Sequence, residues 1–132
     1  MNNKWIEMND FNKEECSALL DRDDLIQINI EGANIKSREI FMDLIGQALQ
    51  FPSECKGKFS RFEDMIRDLL WLPSEQGVCI RITNYQEFLK NDQKSKRIFE
   101  EIFQEEVFPF WETEVIKNIK GGKPRAFYVI IS

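Results

Sequence analysis

Two segments alternate apolar and polar residues with a period of two, a third sets three large apolar residues on one face, and the rest of the chain has to fit around them. Leu25–Ile30 reads LIQINI, with Ile26, Ile28 and Ile30 on one side and Gln27 and Asn29 on the other. Val78–Ile82 sets Val78, Ile80 and Ile82 against Cys79 and Arg81. Ala126–Ile131 gathers Phe127, Val129 and Ile131 on one face. Successive side chains of a strand point to opposite faces, so each segment predicts a strand with one strongly apolar face.

Helical patterns separate these segments. Ser37 is placed to cap a helix whose apolar residues are Ile40, Phe41, Leu44, Ile45, Ala48 and Leu49, and Phe51-Pro52 stops it. A second helix is expected from about Arg61 to Leu70, with Phe62, Met65, Ile66, Leu69 and Leu70 on one side. Asn84–Leu89 reads as a short third helix anchored by Phe88 and Leu89. A longer fourth begins near Asp92 and buries Ile98, Phe99, Ile102 and Phe103 before Pro109. Gly121-Gly122 then turns the chain into the last strand.

Strands joined through helices predict a parallel sheet. One apolar face per strand puts the helices mainly on one side of it. The expected fold is therefore α/β, in two layers, with a three-stranded parallel sheet. Residues 1–24 precede this pattern and carry Trp5, Ile6, Met8 and Phe11, then Asp21, Asp23 and Asp24. They read as an N-terminal extension to a domain of residues 25–132, packed on an edge or on the thinner face of the sheet. Their apolar residues are few and weakly periodic, so they should contribute less stability than the rest.

Composition narrows the function classes. A chain of 132 residues, 42% hydrophobic and 31% charged, suits one folded domain and excludes disorder. No apolar run approaches the roughly 20 residues of a membrane span. The start, MNNKWIEMND, lacks a signal-peptide core, so a cytosolic location is expected. Cys16, Cys55 and Cys79 have no zinc or thioredoxin spacing and suit reduced thiols. Histidine is absent, which removes the commonest general base and metal ligand. Asp, Glu, Lys or Tyr remain for acid–base work, but no nucleophile–base pair is visible. A net charge of −5 argues against a nucleic-acid partner.

One stretch asks for more than a structural explanation: FPSECKGKFSRFEDMIRDLLWLP, Phe51 to Pro73. A proline turn precedes a short helix and a Trp-Leu-Pro stop follows it. Lys56, Lys58 and Arg61 load the approach, and Glu63, Asp64 and Asp68 follow. Together with VCIRITNYQEFLKN, FEEIFQEEVFPFW and the closing AFYVIIS, this stretch resembles the barstar family over roughly Leu25 to Ser132. These are small intracellular inhibitors of a bacterium's own secreted ribonuclease, with relatives that act as immunity proteins against nuclease toxins.

The resemblance implies a three-stranded parallel sheet with helices packed on it. It also implies that the second helix and the loop before it plug a nuclease active site, with acidic side chains standing in for substrate phosphates. Asp64 falls where the family has its central acidic contact. Ser60 replaces a usual aspartate at the helix start, Glu54 and Cys55 replace an aromatic pair, Lys56 replaces a glycine, and Lys58 replaces a common asparagine. Glu105 matches a further acidic contact on the fourth helix.

Each of these residues also has a plainer structural explanation. Ser60-Arg61-Phe62-Glu63 fits a capping box, which alone accounts for Ser60 and Glu63. Asp64 is otherwise a solvated residue near a helix start. Lys56, Lys58 and Arg61 are a solvated loop, a contact to an acidic rim on a partner, or a nucleic-acid patch. The acidic run Glu100, Glu101, Glu105, Glu106, Glu112 and Glu114 is a solvated face, or a replacement for acidity missing from the loop. Trp71 is expected where the second helix ends, Trp111 beside Pro109, and Cys55 nearest the surface of the three cysteines. The resulting expectation is a monomeric cytosolic inhibitor of a toxic nuclease, without cofactor or chemistry. It would bind through Glu54, Lys56, Lys58, Ser60, Asp64, Arg67 and Glu105. The rival expectation is a domain of the same fold that binds another protein or a nucleic acid and inhibits no nuclease.

Overall fold

The computed structural model describes residues 2–132. The three predicted segments form strands at β2 (Leu25–Glu31), β3 (Gly77–Thr83) and β4 (Phe127–Ile131). A further strand, β1 (Lys4–Glu7), joins them, and the sheet runs β1-β4-β3-β2 with every neighbouring pair parallel. The sheet therefore has four strands rather than three. Trp5 packs against the main core and the adjacent Ile6 against the other face. Two apolar residues in succession give no alternation, which is why KWIE does not read as a strand from sequence.

The register aligns the apolar faces. Ile28 lies opposite Ile80, which lies opposite Val129; Ile30, Ile82 and Ile131 form the next row. Helix α2 (Arg38–Ala48), helix α3 (Phe59–Ile66) and helix α4 (Gln93–Glu101) cover this face. The core between is aliphatic in the main, with a connected set of aromatic rings running through it. Phe41 on α2 has its ring centroid 4.6 Å from Phe99, 5.1 Å from Phe88 and 6.1 Å from Phe62. The first two pairs are edge-to-face and the third is tilted, geometries that add specificity to the apolar burial. The second face is covered by helix α1 (Lys13–Leu20), where Cys16 and Leu19 pack with Ile6 on Leu25, Cys79, Ala126, Tyr128 and Ile130. The described part of the extension, residues 2–24, thus supplies both an edge strand and the cover of the thinner face.

Helix ends follow recognisable chemistry. The Ser37 hydroxyl accepts from Ile40 N–H and starts α2. Its C-terminus closes with Gln50 in the left-handed region, Phe51 N–H on Gly46 C=O at 2.8 Å and Gln50 N–H on Gln47 C=O at 3.3 Å, the Schellman pattern. The α2 stripe is rotated from the expected one: Met42 is buried, while Ile40 and Leu44 are 40% exposed. The segment Tyr85–Glu87 is a single 3₁₀ turn, and Phe88 and Leu89 are buried after it.

Asp92 caps α4 by accepting from both Ser95 N–H (3.2 Å) and Ser95 Oγ–H (2.6 Å). The helix does not stop before Pro109. It widens into π-helical turns at Ile102–Val107 and Phe110–Glu114 and ends as α5 (Val115–Asn118). Pro109 sits between the two widened turns with helical φ and ψ. Proline disrupts a regular helix through a missing donor and a clash with the fourth carbonyl before it, and the altered hydrogen-bond spacing around it accommodates both. No helix among the described residues is long and apolar enough to cross a membrane.

Candidate functional site

The approach to α3 is pinned from beneath. Cys55 is buried, and its carbonyl accepts Lys58 N–H at 3.0 Å. Lys56 (φ 54°) and Gly57 (φ 71°) occupy the two central positions of this turn, both in the left-handed region, as a type I′ turn requires. Gly57 is further confined by Glu39, whose Oε1 would lie 2.6 Å from an added Cβ. Lys56 has no such freedom, and a side chain in the left-handed region costs about 1 kcal/mol. Cys55 is therefore not the surface cysteine expected from its place in the loop, since its side chain belongs to the main core. Burial, reinforced by Asp43, pushes its thiol above the ordinary range.

Helix α3 begins at Phe59, with Lys58 as an extended N-cap and no side-chain cap. The expected capping box at Ser60 does not form. Lys58 C=O already accepts Phe62 N–H, so Ser60 is inside the helix, and Glu63 turns toward Arg67 at 3.8 Å. The helix stops at Ile66 rather than Leu70. Leu69 takes a left-handed conformation and stays buried, while Leu70 swings out and is 63% exposed.

Side chains from other elements fasten the far end of α3. Trp111 Nε1–H donates to Ile66 C=O at 2.9 Å, and the Arg125 guanidinium lies 4.9 Å from the Trp111 ring. Arg125 also donates to the carbonyls of Leu69, Pro73 and Gln76. It is 5% exposed, and burial lowers its pKa from the ordinary value. Trp71 Nε1–H donates to Leu49 C=O, tying the segment after α3 to the end of α2. Phe62 and Ile66 anchor the helix in the core, with Phe62 5.4 Å from Phe99. A short helix fixed in this way holds its outer side chains on a stable frame.

The sequence-predicted residues divide into two groups on this frame. Glu54, Lys56, Lys58, Ser60 and Arg61 are exposed at or before the start of α3. Glu54 lines a cleft of about 380 Å³ between α2 and the loop, with Asp43, Gln47 and Gln50 on the same walls. Asp64 lies further along, with its side chain 77% exposed. Arg67, 33% exposed, holds three carboxylates: Asp64 at 3.7 Å, Glu63 at 3.8 Å and Glu106 at 3.9 Å. Its ring-facing side lies 6.0 Å from Phe110. Glu105 is exposed on the widened turn but makes no ion pair among the described residues; its neighbour Glu106 is the one brought to α3.

What results is an outward face on which Lys56, Lys58 and Arg61 outnumber Glu54 at the start of α3, and Glu63, Asp64 and Glu106 outnumber Arg67 further along it. No group of His, Cys, Asp and Glu with metal-binding geometry occurs among the described residues. The arrangement suits charge-assisted recognition of another molecule. A family model described as barstar (barnase inhibitor) matches residues 25–127, a span that includes β2, β3, the whole of this face and the first residue of β4. Searches of curated proteins and of solved structures return no match. The family match covers well over half of the chain, and the chain belongs to the barstar family.

Proposed function

We propose that this chain is an intracellular inhibitor that forms a one-to-one complex with a toxic nuclease and blocks its active site with α3 and the loop before it. The observation that carries the reading is Asp64: a carboxylate with a 77% exposed side chain on a helix locked into the core, within 3.7 Å of the arginine that also gathers Glu63 and Glu106. A nuclease pocket is built to receive phosphates and is therefore cationic. Carboxylates on a fixed helix meet it as substrate anions would, through charge-assisted hydrogen bonds, and little side-chain freedom remains to be lost. The family match supports the same reading. Inhibition of this kind is occupation of a site, with no bond made or broken and no cofactor required. Cytoplasmic residence and a monomeric free state belong to the proposal.

The test is a tight-binding titration against barnase, or against a nuclease encoded beside this chain's gene. RNA hydrolysis should fall linearly with added chain and vanish at one equivalent. Full hydrolysis by every such nuclease in the presence of excess chain would remove the reading.

A further inference from the structure

We propose that the partner of this surface presents an acidic rim beside its cationic cleft, and that Lys56, Lys58 and Arg61 are the groups that meet that rim; this rests on the inhibitor reading above. The three side chains are exposed, and none has a carboxylate within ion-pair distance among the described residues. No side chain caps the helix start they surround, so its positive end adds to theirs. The turn that carries Lys56 and Lys58 is closed by a backbone hydrogen bond and held down by buried Cys55. Arg61 stands one turn before Asp64 yet does not pair with it; Asp64 is turned to Arg67 instead.

The sign of the surface therefore changes along one short helix. The eight residues of α3 span about 12 Å at the usual helical rise. A specific interface covers about 800 Å² on each partner, so it spans both signs at once. A uniformly basic partner would satisfy Asp64 and Glu106 but set like charge against Lys56, Lys58 and Arg61. A uniform polyanion such as RNA would satisfy the lysines but meet the carboxylates that Arg67 gathers. Only a two-signed protein surface, acidic where it faces the loop and basic where it faces the second half of α3, satisfies the whole face.

The test uses the full chain, ¹⁵N-labelled, at low salt, with three probes: hexaglutamate, hexaarginine and a single-stranded RNA hexamer. Hexaglutamate should shift the amides of Lys56 to Phe62, and hexaarginine those of Asp64 to Arg67 and of Glu106. Both responses should fade as salt is raised. The K56E/K58E/R61E variant should lose the hexaglutamate response at least tenfold, and the neutral K56Q/K58Q variant should weaken it without a change in fold. Hexaglutamate that leaves residues 56–62 unmoved overturns the inference. RNA that binds there tenfold more tightly than hexaglutamate overturns it in favour of nucleic-acid recognition. If hexaarginine leaves Asp64 and Glu106 unmoved while hexaglutamate acts as expected, the inhibitor reading fails first, and the cationic half of the partner falls with it.

Discussion

Asp64 and Arg125 are opposite cases of one charge each, and their substitutions should separate binding from folding. Asp64→Ala removes an exposed carboxylate and should change folding stability by less than about 0.5 kcal/mol. Against a captured nuclease it should cost about 2–5 kcal/mol, the general range when one partner of a desolvated charge pair is removed, and surface plasmon resonance should show the loss mainly in the dissociation rate. Arg125→Met leaves the carbonyls of Leu69, Pro73 and Gln76 without their donor. It should lower stability by about 2–4 kcal/mol, read as a fall in the urea midpoint at unchanged slope. Asp64 was legible in the sequence because Phe62, Met65 and Ile66 leave it the solvent side of the helix. Glu106 was not, because the widened turns of Ile102–Val107 break the 3.6-residue count that would place it. Arg125 was not either, since nothing in the sequence marks a buried arginine whose hydrogen-bond acceptors are all backbone carbonyls.

Among the elements, α3 and α4 make opposite use of their first residues. Lys58 stands in an extended N-cap conformation with no acceptor to offer. Lys58→Asp should supply one and raise stability by about 0.5–1 kcal/mol, seen as a higher melting temperature, while slowing association with a partner that has an acidic rim. Asp92 already caps α4, and its hydrogen bonds to Ser95 hold its carboxyl below the usual range. A depressed folded-state pKa gives stability that is present above the unfolded value near 4 and lost as pH falls through the folded one. Asp92→Ala should therefore cost about 1 kcal/mol at pH 7 and progressively less as pH drops below 4, in parallel urea titrations. The three long strands and the start of α2 were legible because alternation and a serine cap are local signals. The strand β1 was hidden by its two successive apolar residues. The end of α3 comes earlier than its sequence pattern suggests because Leu69 and Leu70 continue the helical stripe in sequence while the backbone has already left it.

In the assembled fold, the main core contains no buried residue from positions 2–24 among the described residues, although Trp5 packs against its edge. We propose that residues 25–132 are the folding unit and the first 24 a stabilising addition. Deleting them uncovers Leu25, Cys79, Tyr128 and Ile130 and removes the burial of Ile6 and Leu19, each worth about 1.5–3 kcal/mol. The truncated chain should melt cooperatively but at a clearly lower temperature by circular dichroism; a chain without a transition would make the extension part of the folding unit. The general architecture was legible from sequence because parallel strands with single apolar faces admit few arrangements, whereas the way α1 closes the second face depends on weakly patterned residues. On the proposed reading, this fold sets the carboxylate-bearing half of α3 into a nuclease active site. Competition measures that directly: a fluorescent, non-hydrolysable RNA analogue bound in the active site of the inhibited nuclease is titrated with the full chain. Displacement should be complete at one equivalent of chain; a chain that binds the nuclease while the analogue stays bound would show that α3 does not enter the active site.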